Sequence, residues 1–185
     1  MPDDARPAAR RLLLLRHAES AWPDDVHDHC RPLSQRGRKA APALGAFMAR
    51  QGFAPDLALV STARRAQETW EFVAGAFPQR ITARDTADIY EVDAPAIFGV
   101  IRKVEPSVET LLLVGHNPGM ADLALLLAGR GDEAGLEQLR EKFPTAGLAV
   151  IDFEAGSWSE IARGTGRLVR FVTPRLLKQE QSGLA

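Results

Sequence analysis

Short apolar runs alternate with stretches of helical period along the first two thirds of the chain. Arg11 to Leu15, Asp56 to Val60 and Thr110 to Val114 each end abruptly at polar residues, the pattern of a strand buried on both faces. Between them, Leu44, Phe47 and Met48 follow a Ser34 cap, and Ala66, Thr69, Trp70, Val73 and Phe77 repeat at helical spacing. So do Ile97, Phe98, Ile101 and Val104. Asp93 with Pro95 marks the start of that third helix and Gly52 the stop of the first, whereas Pro42 predicts a bend or an early boundary within it. A fourth helix is predicted over Met120 to Leu127, ending at Gly129, and a fifth over Glu133 to Phe143.

The last third changes character. Leu148 to Phe153, a Glu154-Ala155-Gly156 turn, Ser157 to Ile161, and then Leu168 to Val172 read as short strands, the first two forming a hairpin. The whole predicts an α/β fold of three layers, α/β/α, with a mainly parallel central sheet and an antiparallel C-terminal addition. In such sheets ligands gather beyond the carboxyl ends of the strands. Arg16-His17, Ser61 to Arg65 and His116-Asn117 all fall at such ends.

With 185 residues, 45% of them hydrophobic, the chain has material for one sizeable core. We expect one domain over residues 11–178 between loosely ordered polar tails, 1–10 and 179–185. Lys and Arg number 23 against 24 Asp and Glu, a net charge of -1, so no global field calls for a nucleic-acid or membrane partner. An anion site must therefore be local, and a monomer is the expectation. The apolar run Leu12 to Leu15 is far too short for a signal peptide or a membrane span. The lone Cys30 permits no intrachain disulfide, which suits a reducing compartment and predicts a cytoplasmic location.

Four segments carry candidate chemistry. Arg16-His17-Ala18-Glu19-Ser20 offers a guanidinium for a phosphate and a nitrogen able to attack phosphorus, and the neighbouring cation favours the neutral, reactive imidazole. Ser61 to Thr69 sits at a strand-to-helix junction, where free N–H groups and the helix dipole favour an anion. Arg64 and Arg65 add planar forks there, and only one need point inward. In Gly115-His116-Asn117-Pro118-Gly119, glycines allow close backbone approach and a histidine can donate to a phosphoryl oxygen. Glu91, ahead of the third helix, could protonate a leaving oxygen, while Asp93 reads as a helix cap. Ser20 is placed to bond a phosphate oxygen or to cap a turn, and Trp22, close behind the histidine, to line the site; Trp158 reads as packing. His27-Asp28-His29-Cys30 has ligating side chains, but adjacent ligands followed by Arg31-Pro32 favour a surface loop at the rim of the pocket over a metal site.

Together these segments resemble the histidine phosphatase superfamily, the phosphoglycerate mutase-like fold. Its Arg-His-Gly-Glu-Thr signature corresponds to Arg16 to Ser20, its Leu-Thr-x-x-Gly stretch to Leu33-Ser34-Gln35-Arg36-Gly37, its Ser-x-x-x-Arg-Ala-x-x-Thr stretch to Ser61 to Thr69, and its second-histidine motif to Gly115-His116. The resemblance implies that His17 takes the phosphoryl group while Arg16, Arg65 and His116 grip its outer oxygens. Arg65 rather than Arg64 has the inner role because the family arginine directly precedes the alanine. Water then frees phosphate, and the scheme requires no metal or other cofactor. The short chain, the His-Asn-Pro form of the second motif with Asn117 beside the phosphate, and the Arg167 to Pro174 ending are most similar to SixA-type phosphohistidine phosphatases, whose substrates are signalling phosphoproteins. The alternatives are a phosphatase of sugar phosphates or other small phosphate esters and, from another class, a catalytically silent phosphopeptide-binding module. A mutase would need insertions this chain is too short to supply.

Overall fold

In the computed structural model, which describes residues 9–182, the strands join one sheet. In chain order they are β1 (Ala9–Arg16), β2 (Leu57–Ser61), β3 (Thr82–Thr86), β4 (Thr110–Gly115), β5 (Ala128–Gly131), β6 (Leu148–Glu154) and β7 (Gly166–Val172). The helices are α1 (Gln35–Arg50), α2 (Arg64–Ala74), α3 (Ala94–Ile101), α4 (Gly119–Leu127), α5 (Glu133–Glu141) and α6 (Pro174–Ser182). Across the sheet the order is β3-β2-β4-β1-β6-β7-β5. β3, β2, β4 and β1 run parallel, β6 is antiparallel to both β1 and β7, and β5 pairs parallel with β7.

Successive residues of β1 serve opposite faces. Leu12 and Leu14 pack in one cluster with Ile97, Leu123 and Leu139 of α3, α4 and α5. Leu13 and Leu15 pack in the other with Leu44, Trp70 and Leu177 of α1, α2 and α6. All four leucines are fully buried, each stabilising by about 1.5–3 kcal/mol, which is why this run carries no strand-like alternation of polarity. The three-layer α/β/α architecture is thus as expected.

Several local expectations need correction. α1 runs through Pro42 without a boundary. The proline forfeits one helical hydrogen bond, and burial of Ala41, Leu44, Phe47 and Met48 around it outweighs that loss. Ser157 to Ile161 is not the second strand of a hairpin. Trp158 in this segment is fully buried, with its indole N–H donating to the Val108 carbonyl at 2.7 Å, so the segment turns under the sheet and β7 becomes the partner of β6. β1 starts at Ala9 and α6 extends to Ser182, while residues 1–8 and 183–185 of the expected tails lie outside the described residues. β3 and β5 escape the pattern because both are edge strands whose residues are largely exposed.

The Leu33 to Gly37 motif is a joint between β1 and α1. Ser34 caps α1 by accepting from the Gly37 N–H at 3.1 Å and donates its hydroxyl to the Glu19 carboxylate at 2.9 Å. A Cβ on Gly37 would sit 2.1 Å from the Glu19 carbonyl oxygen, so only glycine lets the helix approach the segment that follows His17. Gly37→Ala is therefore expected to cost about 1–3 kcal/mol, read as a Tm lowered by several degrees. An unchanged Tm would show that the joint yields freely.

Candidate active site

Strand register assembles the site. β1 and β4 are parallel neighbours with Arg16 opposite Gly115, so the residues that follow them, His17 and His116, emerge side by side. Their ring centroids are 5.1 Å apart and both residues are buried. On the other flank of β4, Val60 of β2 pairs with Val114, which brings Ser61 up to His116.

Each imidazole has one nitrogen committed. The Nδ1 of His17 lies 2.7 Å from the Ala18 carbonyl, which can only accept, so Nδ1 carries the proton and the Nε2 lone pair is free. His116 shares a 2.7 Å hydrogen bond between its Nε2 and the Ser61 hydroxyl. That hydroxyl also accepts from the Ala63 N–H at 3.3 Å and keeps both a proton to give and a second lone pair, so it can serve either tautomer of His116. Nδ1 of His116 is buried with no protein partner, as are Nε of Arg16 and Oδ1 of Asn117, and three orphaned polar atoms around one histidine pair mark a place for a polar ligand.

Burial, reinforced by neighbouring His116, Arg65 and Arg16, pushes the His17 pKa down to about 3, and burial with Arg65 pushes that of His116 down to about 4. Both rings are neutral at pH 7, the form in which one can attack and the other donate. Since both folded values lie below the ordinary 6.5, the unfolded chain takes up protons first as the medium is acidified. Stability is thus fully present above about pH 6.5 and lost progressively as pH falls toward 4 and then 3. We expect Tm to be level above pH 6.5 and to drop below it, with no rise in kcat/KM for p-nitrophenyl phosphate between pH 6 and 7.5. A rise centred near 6.5 would mean a histidine of ordinary acidity does the work.

Arg16 donates from Nη1 to the Phe143 carbonyl at 3.0 Å, and Asn117 donates to the same oxygen at 2.8 Å. Arg65, on the first turn of α2, points inward and is buried, whereas Arg64 is half-exposed and paired with Glu68 at 2.9 Å. The inward guanidinium is held by the Asp28 backbone oxygen at 2.7 Å and the Asp28 carboxylate at 3.1 Å. Asp28 also accepts from Arg31 at 2.9 Å and from the Tyr90 hydroxyl at 2.9 Å. Against a burial that would raise it, these donors hold the Asp28 carboxyl well below the usual carboxylate range.

The other candidates are less central. Glu91 sits in the left-handed backbone region (φ 50°), with its side chain 56% exposed and 3.9 Å from Arg65. The Ser20 hydroxyl accepts from Arg31 at 2.6 Å. Trp22 is 79% exposed beneath the Arg31 guanidinium. The His27 to Cys30 loop does rim the site, through Asp28 and through His29 bonded to Thr62 at 2.9 Å, and no metal-sized group of three His, Cys, Asp or Glu side chains exists among the described residues. Sequence reasoning placed Asp28 only within a rim loop, without its bond to Arg65, and did not single out Tyr90, the Ser61 hydroxyl or the Phe143 carbonyl. The bonds that tie them to one another and to Arg16, Arg65, His116 and Asn117 span 26 to 127 residues of chain, and nothing short-range signals such pairings.

Two neutral imidazoles beside two guanidiniums at the strand ends of an α/β sheet define a histidine-nucleophile phosphatase. The chain belongs to the histidine phosphatase superfamily: the sequence profile of its branch 1 matches residues 12–105. A protein of Mycobacterium tuberculosis H37Rv is 39% identical over 163 residues, covering 87% of this chain and all of its own length. A solved structure from Agrobacterium tumefaciens, described as a candidate phosphohistidine phosphatase SixA, is 31% identical with a TM-score of 0.76, covering 89% of this chain and 98% of that one. A second such structure, from Nakamurella multipartitia, is 27% identical with a TM-score of 0.78, covering 91% and 99%. Among the described residues no helix is long and apolar enough to cross a membrane.

Proposed function

We propose that this chain removes phosphate from phosphohistidine on a signalling protein, through a phosphohistidine on His17. Nε2 of His17 attacks phosphorus as the P–N bond to the substrate imidazole breaks and that imidazole takes up a proton. Arg16, Arg65 and His116 hold the three outer oxygens, where negative charge gathers as the group transfers. A water oxygen then attacks phosphorus, the bond to Nε2 breaks, and inorganic phosphate leaves.

The observation that carries the choice of substrate is the setting of Glu91. Its side chain is 56% exposed and lies 3.9 Å from Arg65, so it is not enclosed against the phosphoryl site as a dedicated proton donor to an alkoxide would be. Asp28, held ionised by its three donors, cannot serve instead. An imidazole is a far better leaving group than a sugar alkoxide, so a site without a dedicated acid suits phosphohistidine. The structures described as SixA-type phosphatases support the same reading.

The test is to offer the purified protein a histidine-phosphorylated protein, p-nitrophenyl phosphate and a panel of sugar phosphates, without added metal. We expect the highest kcat/KM on the phosphoprotein, with Glu91→Gln retaining most of it. Preference for a sugar phosphate by a wide margin, together with loss of turnover in Glu91→Gln, would overturn the reading in favour of a small-ester phosphatase.

A further inference from the structure

Beside the histidine pair, two adjoining hollows of about 300 and 710 Å³ share Arg36, Thr145 and Pro174 and so form one trough between α1, the α5–β6 loop and α6. One wall is bonded to the chain that carries the active site. Phe143 in this loop is the acceptor for Arg16 and Asn117, and the Ala146 N–H donates to the carbonyls of Arg16 and His17. Glu19, two residues past His17, lines the same trough.

Five cations converge on it from separate elements, Arg36 and Lys39 of α1, Lys142 of the loop, and Arg175 and Lys178 of α6, against two carboxylates in the lining, Glu19 and Glu141. All five are exposed. Arg36 reaches Glu19 at 3.5 Å, but among the described residues the other four take part in no ion pair. Like charges gathered this way repel one another and contribute nothing to folding. In a chain of net charge -1 such a concentration is local, and it borders the phosphoryl site. Ala40, Ala43 and Leu177 give the trough an apolar floor that a bare phosphate backbone would leave unused.

Resting on the phosphoprotein reading above, we propose that this trough docks an acidic, partly apolar polypeptide segment flanking the phosphohistidine of the protein substrate. Electrostatic complementarity of this kind raises the rate of productive encounter and is screened by salt. A free phosphate ester too small to reach from His17 to α6 gains nothing from it.

The experiment compares two histidine-phosphorylated peptides of equal length, one flanked by glutamates and one by glutamines, with p-nitrophenyl phosphate as the small substrate. At low salt kcat/KM should favour the acidic peptide by about tenfold, the combined effect of several exposed pairs. The preference should vanish in 1 M NaCl and in Lys39→Glu/Lys178→Glu, whose turnover of p-nitrophenyl phosphate stays at the parent level. Equal rates on the two peptides in the parent, or a preference that survives charge reversal, would overturn the trough while leaving the phosphohistidine reading intact. Parent protein that turns over p-nitrophenyl phosphate but neither peptide would overturn both. Binding of a single-stranded oligonucleotide that is lost in the variant, with the peptide preference untouched, would assign the trough to nucleic acid instead.

Discussion

Replacing His17 with alanine is expected to abolish the phosphoenzyme and to lower kcat by about 10⁴-fold or more, the scale on which removal of a covalent nucleophile acts. The expectation follows from three features of one ring. Its Nδ1–H is held by the Ala18 carbonyl at 2.7 Å, which fixes the tautomer and turns the Nε2 lone pair into the site. Burial lowers its pKa to about 3, so the ring proposed as nucleophile is neutral at pH 7. Its neighbour at 5.1 Å, His116, has its Nε2 already engaged by the Ser61 hydroxyl, whereas no partner occupies Nε2 of His17 among the described residues. Rapid quench of the parent should trap an acid-labile, base-stable phosphoenzyme that is absent in His17→Ala. In His116→Ala it should still form, about 10²–10³-fold more slowly, as for loss of one oxyanion donor. A phosphoenzyme that persists in His17→Ala would show that the wrong histidine has been given the covalent role.

The second large effect separates two adjacent arginines. Arg65→Ala is expected to lower kcat/KM by about 10²–10³-fold, because in the proposed reaction this buried guanidinium holds an oxygen of the transferring group in a site of low dielectric. Arg65→Lys should recover little of this, since an ammonium cannot keep both bonds to Asp28 and still present a planar face to two oxygens. Arg64→Ala should stay within about threefold of the parent, since that side chain is 55% exposed and its pairing with Glu68 is a surface ion pair. Steady-state kinetics on one small substrate decides the matter. Comparable losses at the two positions would mean that both forks reach the phosphoryl group and that the inward–outward distinction is lost in solution.

Much of this protein is readable from short-range pattern. Leu12 to Leu15 and Leu111 to Val114 announce buried strands because both faces of the sheet are covered, and a buried strand must be apolar throughout. The caps of α1 and α3 are equally plain, since Ser34 and Asp93 accept from N–H groups three residues on. Edge strands are not, because Thr82 to Thr86 faces solvent along most of its length and no apolar face is required of it. Nor is the failure of the hairpin at Ser157: period alone cannot reveal that Trp158 would be claimed by the Val108 carbonyl, 50 residues away.

The same division runs through the site. His17, Arg16 and His116 are legible because each sits where a buried strand ends, and chemistry at a strand end depends on residue type and local position, which a sequence carries directly. Which arginine turns inward, which nitrogen of His17 is free, and the anchoring of Arg65 by Asp28, itself bonded by Tyr90, were decided only when β1, β2, β4, the loop before α1 and the segment after β3 came together. The physical reason is that a pKa, a tautomer or a hydrogen-bond partner belongs to the groups packed around an atom, and most of those come from elsewhere in the chain.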